Sequence, residues 1–308
     1  MNKIANLYEQ SIHSDYRQFQ FDKLLFVEYN CQIGNNRTPM VSHHNYIAYL
    51  VHGEKQWMTT GGGLLVKEGE ALFIKKGVSY LEDSTKQGVC ILLFFIPDSF
   101  IHEVVTEFRD IYPIPFARFS ETSTFITVNM DVVLSQYFNS VLSYFLVMNN
   151  PSPHLIKLKF KELLFQILLG ENNKPLREYF LSLGNNKQTD IRQLMMENYM
   201  ISLSLDEYAK ICNRSLTSFK RDFQKIFHIS PGKWIINERL KYARMLLLTS
   251  NDPVSDIAFN SGFDTTSHFI RCFKKEFGVP PHQFRNRSKA DSNKEIKTVS
   301  RQLDLKVS

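Results

Sequence analysis

No stretch of this 308-residue chain approaches the ~18–20 uncharged apolar residues that a membrane-spanning helix needs. The opening residues, Met-Asn-Lys-Ile-Ala-Asn-Leu-Tyr-Glu-Gln, lack the long apolar core of a secretion signal. Cysteine is scarce. Cys31, Cys90, Cys212 and Cys272 stand far apart, with no C-x-x-C pair and no histidine spaced to complete a zinc site. They read as buried free thiols, which suits a reducing compartment. The expectation is a soluble, cytoplasmic protein with no membrane partner.

What the chain does have is a repeat. Leu205 to Phe227 and Val254 to Phe277 give one pattern twice: a short helix, a polar turn, then a helix with one aromatic stripe. Phe219, Phe223 and Phe227 recur fifty positions on as Phe269, Phe273 and Phe277, Pro231 as Pro281 and Trp234 as Phe284. Ala209 and Ala258 are forty-nine apart, so the second copy carries one extra residue in its turn. Charge follows the repeat. Lys187 to Lys289 holds 17 basic against 10 acidic residues, an excess of +7, while the whole chain has a net charge of +6. The rest of the chain is therefore nearly neutral, as expected if the repeat is the half that meets nucleic acid.

The length allows about two domains of ~100–200 residues, and 43% hydrophobic content is enough for both cores. Residues 1–23 are polar and read as a mobile arm with a little edge structure. From Leu24 short Val-, Ile-, Leu-, Phe- and Tyr-rich runs predict strands at Leu24–Asn30, Asn45–Val51, Lys55–Thr59, Leu64–Val66, Ala71–Ile74, Val78–Glu82 and Val89–Ile96. Such close spacing predicts a sandwich or barrel. The segment Lys67-Glu-Gly-Glu-Ala-Leu-Phe-Ile-Lys-Lys-Gly-Val resembles the strand-turn-strand of a cupin jelly roll. The period then changes to helices at Asp98–Phe108, Val132–Met148, Leu155–Leu169 and Pro175–Leu183. The two runs within 132–169 are amphipathic and serve either as core cover or as a self-association face, making a homodimer. The fold class is thus α+β multidomain: a cupin-like β-barrel with a helical extension over 1–183, then a polar linker over 184–190. An all-α domain over 191–288 carries two helix-turn-helix units on one linker helix, and 289–308 is a disordered tail.

In the first copy Ser204 and Ser215 are placed to cap the two helices. The phenylalanine stripe turns inward, which leaves Thr217, Lys220, Arg221 and Gln224 on another face. In the second, Thr266, Ser267, His268, Arg271, Lys274 and Lys275 remain outside. An anchored apolar side with an outer side of long donors is what a helix needs to read double-stranded DNA. Arg221 and Arg271 fall at equivalent positions and are the leading base-readers, since arginine forks onto guanine O6 and N7.

This constellation resembles the DNA-binding domain of AraC/XylS-type transcription regulators. The residues that carry the resemblance are Ala209, Phe219, Phe223, Phe227, Ser230-Pro231, Arg239-Leu240, Ala243 and Leu246-Leu247. They continue as Ile257-Ala258, Gly262-Phe263, Phe269, Phe273-Lys274, Phe277-Gly278 and Pro281. The resemblance implies base contacts from Thr217, Lys220, Arg221, Thr266, Ser267, His268 and Arg271, and a fold-holding role for Arg239 and Asp256. It also implies activation of transcription with RNA polymerase as partner. One departure is that Asn213-Arg stands in the first turn where the second has Gly262-Phe. The N-terminal layout, ending in helices with Lys161-Glu-Leu-Leu, is similar to the ExsA-like branch. That similarity implies a dimerisation helix and control by another protein.

The alternative is a metal-dependent cupin enzyme fused to a DNA-binding domain. Such a site needs two histidines one residue apart with a nearby glutamate and a later histidine. His43 and His44 are adjacent and would point to opposite faces of a strand, His52-Gly53-Glu54 sits at a turn, and no histidine after it occurs in the strand region. No catalysis, metal or cofactor is therefore expected. A small-molecule effector would lie among Tyr46, Tyr49, Trp57, Phe73 and Tyr80 if these line the barrel. The other effector mode is a protein partner on the 132–169 helices.

Overall fold

The computed structural model describes residues 5–13, 16–31, 38–59, 62–82, 88–112, 123–148, 150–183 and 190–286. Residues 184–189, the core of the expected linker, and the tail from 287 lie outside them. The chain divides into two compact units, one drawn mainly from residues 4–190 and the other mainly from residues 191–308.

The first unit opens with β1 (Ala5–Asn6), α1 (Leu7–Ile12), β2 (Gln18–Phe21), β3 (Leu24–Cys31) and β4 (Thr38–Ser42). There follow β5 (Asn45–His52), β6 (Glu54–Thr59), β7 (Gly62–Lys67), β8 (Ala71–Ile74), β9 (Gly77–Glu82) and β10 (Val89–Ile96). Next come α2 (Asp98–Ile111), β11 (Phe125–Val128), α3 (Val132–Val147), α4 (Pro153–Leu169) and α5 (Lys174–Leu183). Among the described residues the strands form two sheets, one of order β1-β4-β9-β6-β7 and one of order β11-β8-β5-β10-β3-β2.

The sequence of β10, Val-Cys-Ile-Leu-Leu-Phe-Phe-Ile, explains the layering. It pairs antiparallel with both β3 and β5, and side chains alternate across its pleat. Leu92, Phe94 and Ile96 enter one core with α2 to α5. Ile91, Leu93 and Phe95 enter a second core, which Met40 of β4, Trp57 of β6 and Val66 of β7 close from the other sheet. A strand apolar at nearly every position is thus a strand buried on both faces. The order of layers is sheet, sheet, helices.

Helices α3 and α4 cover the outer core. Leu134, Tyr137, Phe138, Val141 and Phe145 face it from α3, and Ile156, Phe160, Leu163, Leu164, Ile167 and Leu168 from α4. The lysines of α4 do not form a purely solvated face: Lys157 and Lys161 pair with Glu103 and Glu107 of α2, at 2.8 and 2.5 Å. A polar cluster ties the layers together. Lys76 Nζ lies 2.7 Å from Asp98 Oδ2, and Asn45 Nδ2 donates to Asp98 Oδ1 at 2.6 Å. Asn45 Oδ1 in turn accepts from Lys76 N and the Tyr179 hydroxyl, both at 3.0 Å. The nearly buried lysine is tolerated because its charge is paired and hydrogen-bonded.

The reading of residues 1–23 as a mobile arm is corrected over the part described. Leu7, Tyr8 and Phe19 are buried, β1 pairs with β4, and β2 pairs with β3. Asn6 caps α1 by accepting from the Tyr8 and Glu9 amides. One turn of helix is too short to show a period, which is why polarity alone misled. Strand β4 also escaped the sequence reading, because Pro39 demotes a run to edge strand or loop.

The second unit is α6 (Ile191–Asn198), α7 (Leu205–Ile211), α8 (Leu216–Phe227), α9 (Pro231–Thr249), α10 (Val254–Asn260) and α11 (Thr266–Phe277). Residues 281–286 are helical as well.

Candidate nucleic-acid interface

Each copy of the repeat folds as a helix-turn-helix, termed a head below. In the first, Ser204 and Glu207 make a reciprocal capping box at α7: the Ser204 amide donates to Glu207 Oε2 at 2.7 Å and the Glu207 amide to Ser204 Oγ at 3.2 Å. The chain then turns through Asn213, whose φ is 55°, and Ser215 caps α8 by accepting from the Ser218 amide. In the second head the turn passes through Gly262 at φ 84°, and Thr265 caps α11 by accepting from the His268 amide.

The backbone bonds of the two turns are the same. Asn213 N donates to Lys210 O and Arg214 N to Ala209 O, both at 2.9 Å. Gly262 N donates to Phe259 O at 2.9 Å and Phe263 N to Ala258 O at 3.0 Å. The departure at Asn213 therefore does not alter the turn, since asparagine is one of the few residues that enters the left-handed region at modest cost. The extra residue of the second copy is Asp264, which lies after the turn and before the cap. Its Oδ1 accepts from Ser202 Oγ at 2.8 Å.

Inside each head the aromatic stripe packs as its spacing requires. Phe219 and Phe223 are fully buried, and so are Phe269 and Phe273. Phe223 and Phe227 both contact the Trp234 ring, as Phe273 and Phe277 both contact Phe284. An arginine lies over the last ring of each stripe: Arg192 is 5.0 Å from the centre of Phe227 and Arg244 is 5.8 Å from that of Phe277. Helix α9 serves both heads, with Trp234 in the first and Leu240, Ala243 and Leu247 in the core of the second. Arg239 holds the fold as expected. Its Nε donates to Tyr199 O at 2.6 Å and its Nη2 to Ile201 O at 2.9 Å. Asp256 Oδ1 accepts from its neighbour Ser255 Oγ at 3.0 Å.

On the outer faces Thr217, Lys220, Arg221 and Gln224 are exposed on α8, and Ser267, Arg271, Lys274 and Lys275 on α11. Thr266 and His268 are half-buried, and the His268 ring meets the Phe263 ring edge-on, 5.7 Å between centres. A residue that sequence reasoning missed is Ile270. It occupies the position of Lys220 in the duplicated pattern, and it is an apolar side chain 37% exposed amid a polar face. The fifty-residue offset alone was enough to find it.

In the first unit the five candidate ligand aromatics do not share one wall. Tyr46 and Trp57 meet in the core between the sheets. Tyr49 stacks on Phe138 and Phe73 packs on Tyr179 and Phe180, all on the helical side. Tyr80 is half-buried on β9. Burial pushes the Tyr46 phenol up to about 12, so it stays neutral. Among the described residues no three His, Cys, Asp or Glu side chains are grouped to hold a metal ion, and no helix is long and apolar enough to cross a membrane.

Comparison with known proteins agrees with this geometry. Residues 45–179 match the ExsA N-terminal regulatory domain and residues 208–287 match a helix-turn-helix domain. The chain is 28% identical to the thermoregulatory protein LcrF of Yersinia pestis over 77% of its length and 87% of that protein. It is 27% identical to the virulence regulon transcriptional activator VirF of Yersinia enterocolitica, with the same coverage. It is 26% identical to the HTH-type transcriptional regulator ExsA of Pseudomonas aeruginosa, over 80% of this chain and 87% of that one. These relatives are transcription regulators and extend across both units. The chain is an AraC/XylS-type transcription regulator with an ExsA-type N-terminal regulatory domain.

Proposed function

We propose that the chain is a cytoplasmic transcription activator whose two heads read separate stretches of double-stranded DNA under control of the N-terminal unit. The observation that carries this reading is the doubled head. Two helices of equal length, with matching caps, turns and aromatic anchors, each leave long polar side chains outward. Thr217, Lys220, Arg221 and Gln224 serve one groove segment. Thr266, Ser267, His268, Arg271, Lys274 and Lys275 serve the other. Because the outward residues differ, one copy of the chain recognises an asymmetric site. Activation is supported by the similarity to the transcriptional activator VirF, and RNA polymerase is the partner that activation calls for.

The two sheets with a shared core support a cupin-like barrel in the N-terminal unit. Control is exerted through helices α3 and α4, where Val132, Val133, Leu146, Val147, Leu158 and Leu169 stay exposed while Leu134, Phe138, Phe160 and Leu164 cover the core. This face serves a second copy or a protein effector. The split of Tyr46, Tyr49, Trp57, Phe73 and Tyr80 between faces makes it a better effector site than the aromatics of the barrel.

Selection of bound DNA from a random pool tests the central claim. The expected result is one asymmetric consensus, and Arg271→Ala should cost about 1–3 kcal/mol at one base pair while relaxing preference there. Equal weakening on every sequence would assign Arg271 to phosphate alone, and recovery of no consensus would sink the reading.

A further inference from the structure

We infer that Asp222 is a positioning residue: its carboxylate, anchored on Arg214, holds Arg221 of the first head ready for a base edge. The inference rests on the DNA-reading function proposed above. Asp222 Oδ1 lies 3.4 Å from Arg221 Nε, and Asp222 Oδ2 lies 3.3 Å from Arg214 Nε. Each oxygen thus serves one arginine. The Arg214 side chain is 10% exposed and that of Arg221 is 66% exposed, so one is fixed in the protein and the other reaches outward. Ser218 Oγ gives Arg221 a further contact, accepting from Nη2 at 3.4 Å.

The duplication provides an internal comparison. At the position of Asp222 the second head has Cys272, packed against its core, and at the position of Arg214 it has the buried Phe263. Arg271 sits where Arg221 sits, yet among the described residues it has no carboxylate partner. The two reading arginines therefore differ in one respect: only the first is tethered. A guanidinium ordered beforehand gives up less rotamer freedom when it forks onto a base. A carboxylate beside it also repels phosphate, which penalises non-specific DNA more than a correct base contact. Burial pushes the Asp222 carboxyl up, but hydrogen bonds and charge from Arg221 and Arg214 outweigh this and hold it below its ordinary value.

The competing account is that Asp222 only neutralises Arg214, which stands where Phe263 fills the second head. Binding of the full chain to its selected duplex, and to every single-base-pair variant of it, separates the two. Asp222→Ala is expected to lose about threefold to tenfold of the discrimination at the base pair that Arg221→Ala relaxes. Affinity for random DNA should stay level or rise, and the double variant should match Arg221→Ala alone. Asp222→Asn keeps the shape and an acceptor for Arg214 while removing the charge, and gives the same reading if the alanine variant fails to fold. Uniform weakening on all duplexes in step with a lower Tm, or full discrimination retained, overturns the proposal. If Arg221→Ala relaxes no base pair while the wild type still selects one sequence, the positioning role falls and the DNA-reading function stands.

Discussion

Gly262 and Asn213 occupy the same left-handed turn, yet they do not tolerate the same changes. A Cβ built on Gly262 overlaps the Met200 carbonyl and lies 3.0 Å from Arg239 Nε, besides being held at φ 84°. Gly262→Ala should therefore destabilise the C-terminal unit by roughly 2–4 kcal/mol, the sum of left-handed strain and overlap with backbone. Asn213→Gly should change stability by no more than about 1 kcal/mol. Denaturant unfolding of both variants decides this, and equal costs would show that Met200 moves aside. Ile270 makes a different prediction. An exposed isoleucine on a reading helix suits the thymine methyl group. Replacing thymine by uracil at one position should weaken wild-type binding by about 0.8 kcal/mol, the worth of one buried methyl-sized group. Ile270→Ala should be insensitive to that exchange. A variant that still distinguishes the two bases would remove Ile270 from the interface.

At the scale of elements, the docking of α1 against β4 and the turn into β5 should be sensitive to acid. Asn6 Nδ2 donates to His43 Nδ1 at 2.8 Å, and the Tyr8 ring meets His44 edge-on at 4.6 Å. Burial, with Lys23 and His43 adding and Asp98 opposing, lowers His44 from its ordinary 6.5 to about 4. The ring is neutral in the fold, and the unfolded chain binds the proton more readily. His44 thus contributes stability above pH 6.5 that fades as pH falls toward 4. Thermal unfolding between pH 7 and pH 4 should show this decline, and His44→Gln should flatten part of it. An unchanged slope in the variant would place the acid sensitivity elsewhere. These contacts also mark the limit of sequence reading. The long periodic helices α3, α4, α8 and α11 and the apolar strand β10 were legible because their burial repeats over many residues. The six residues of α1 and the proline-bearing β4 were not, since what orders them is Asn6 meeting a histidine thirty-seven residues away.

For the whole molecule the main consequence is independence of cores. Each unit has its own apolar interior, so a thermal scan should resolve two transitions, and the selected DNA duplex should raise only that of the C-terminal unit. A single transition shifted as a whole would mean that the units unfold together. The doubled heads were legible in their stripes, and the first down to its caps, because side-chain stripes and capping serines are local. The tether of Arg221 was not, since it depends on where two oxygens of Asp222 come to rest. The position of Asp264 outside the turn has a practical corollary. Helices α8 and α11 are each twelve residues long, start at a side-chain cap and end at a left-handed residue, His228 or Gly278. They can be tested as cassettes: residues 216–227 and 266–277 exchanged as blocks, with Arg214 and Phe263 exchanged alongside, because Asp222 leaves Arg214 when its helix moves. Such chimaeras would rewrite half of the target site at a time, and a chain carrying α8 twice would trade the asymmetric site for a direct repeat.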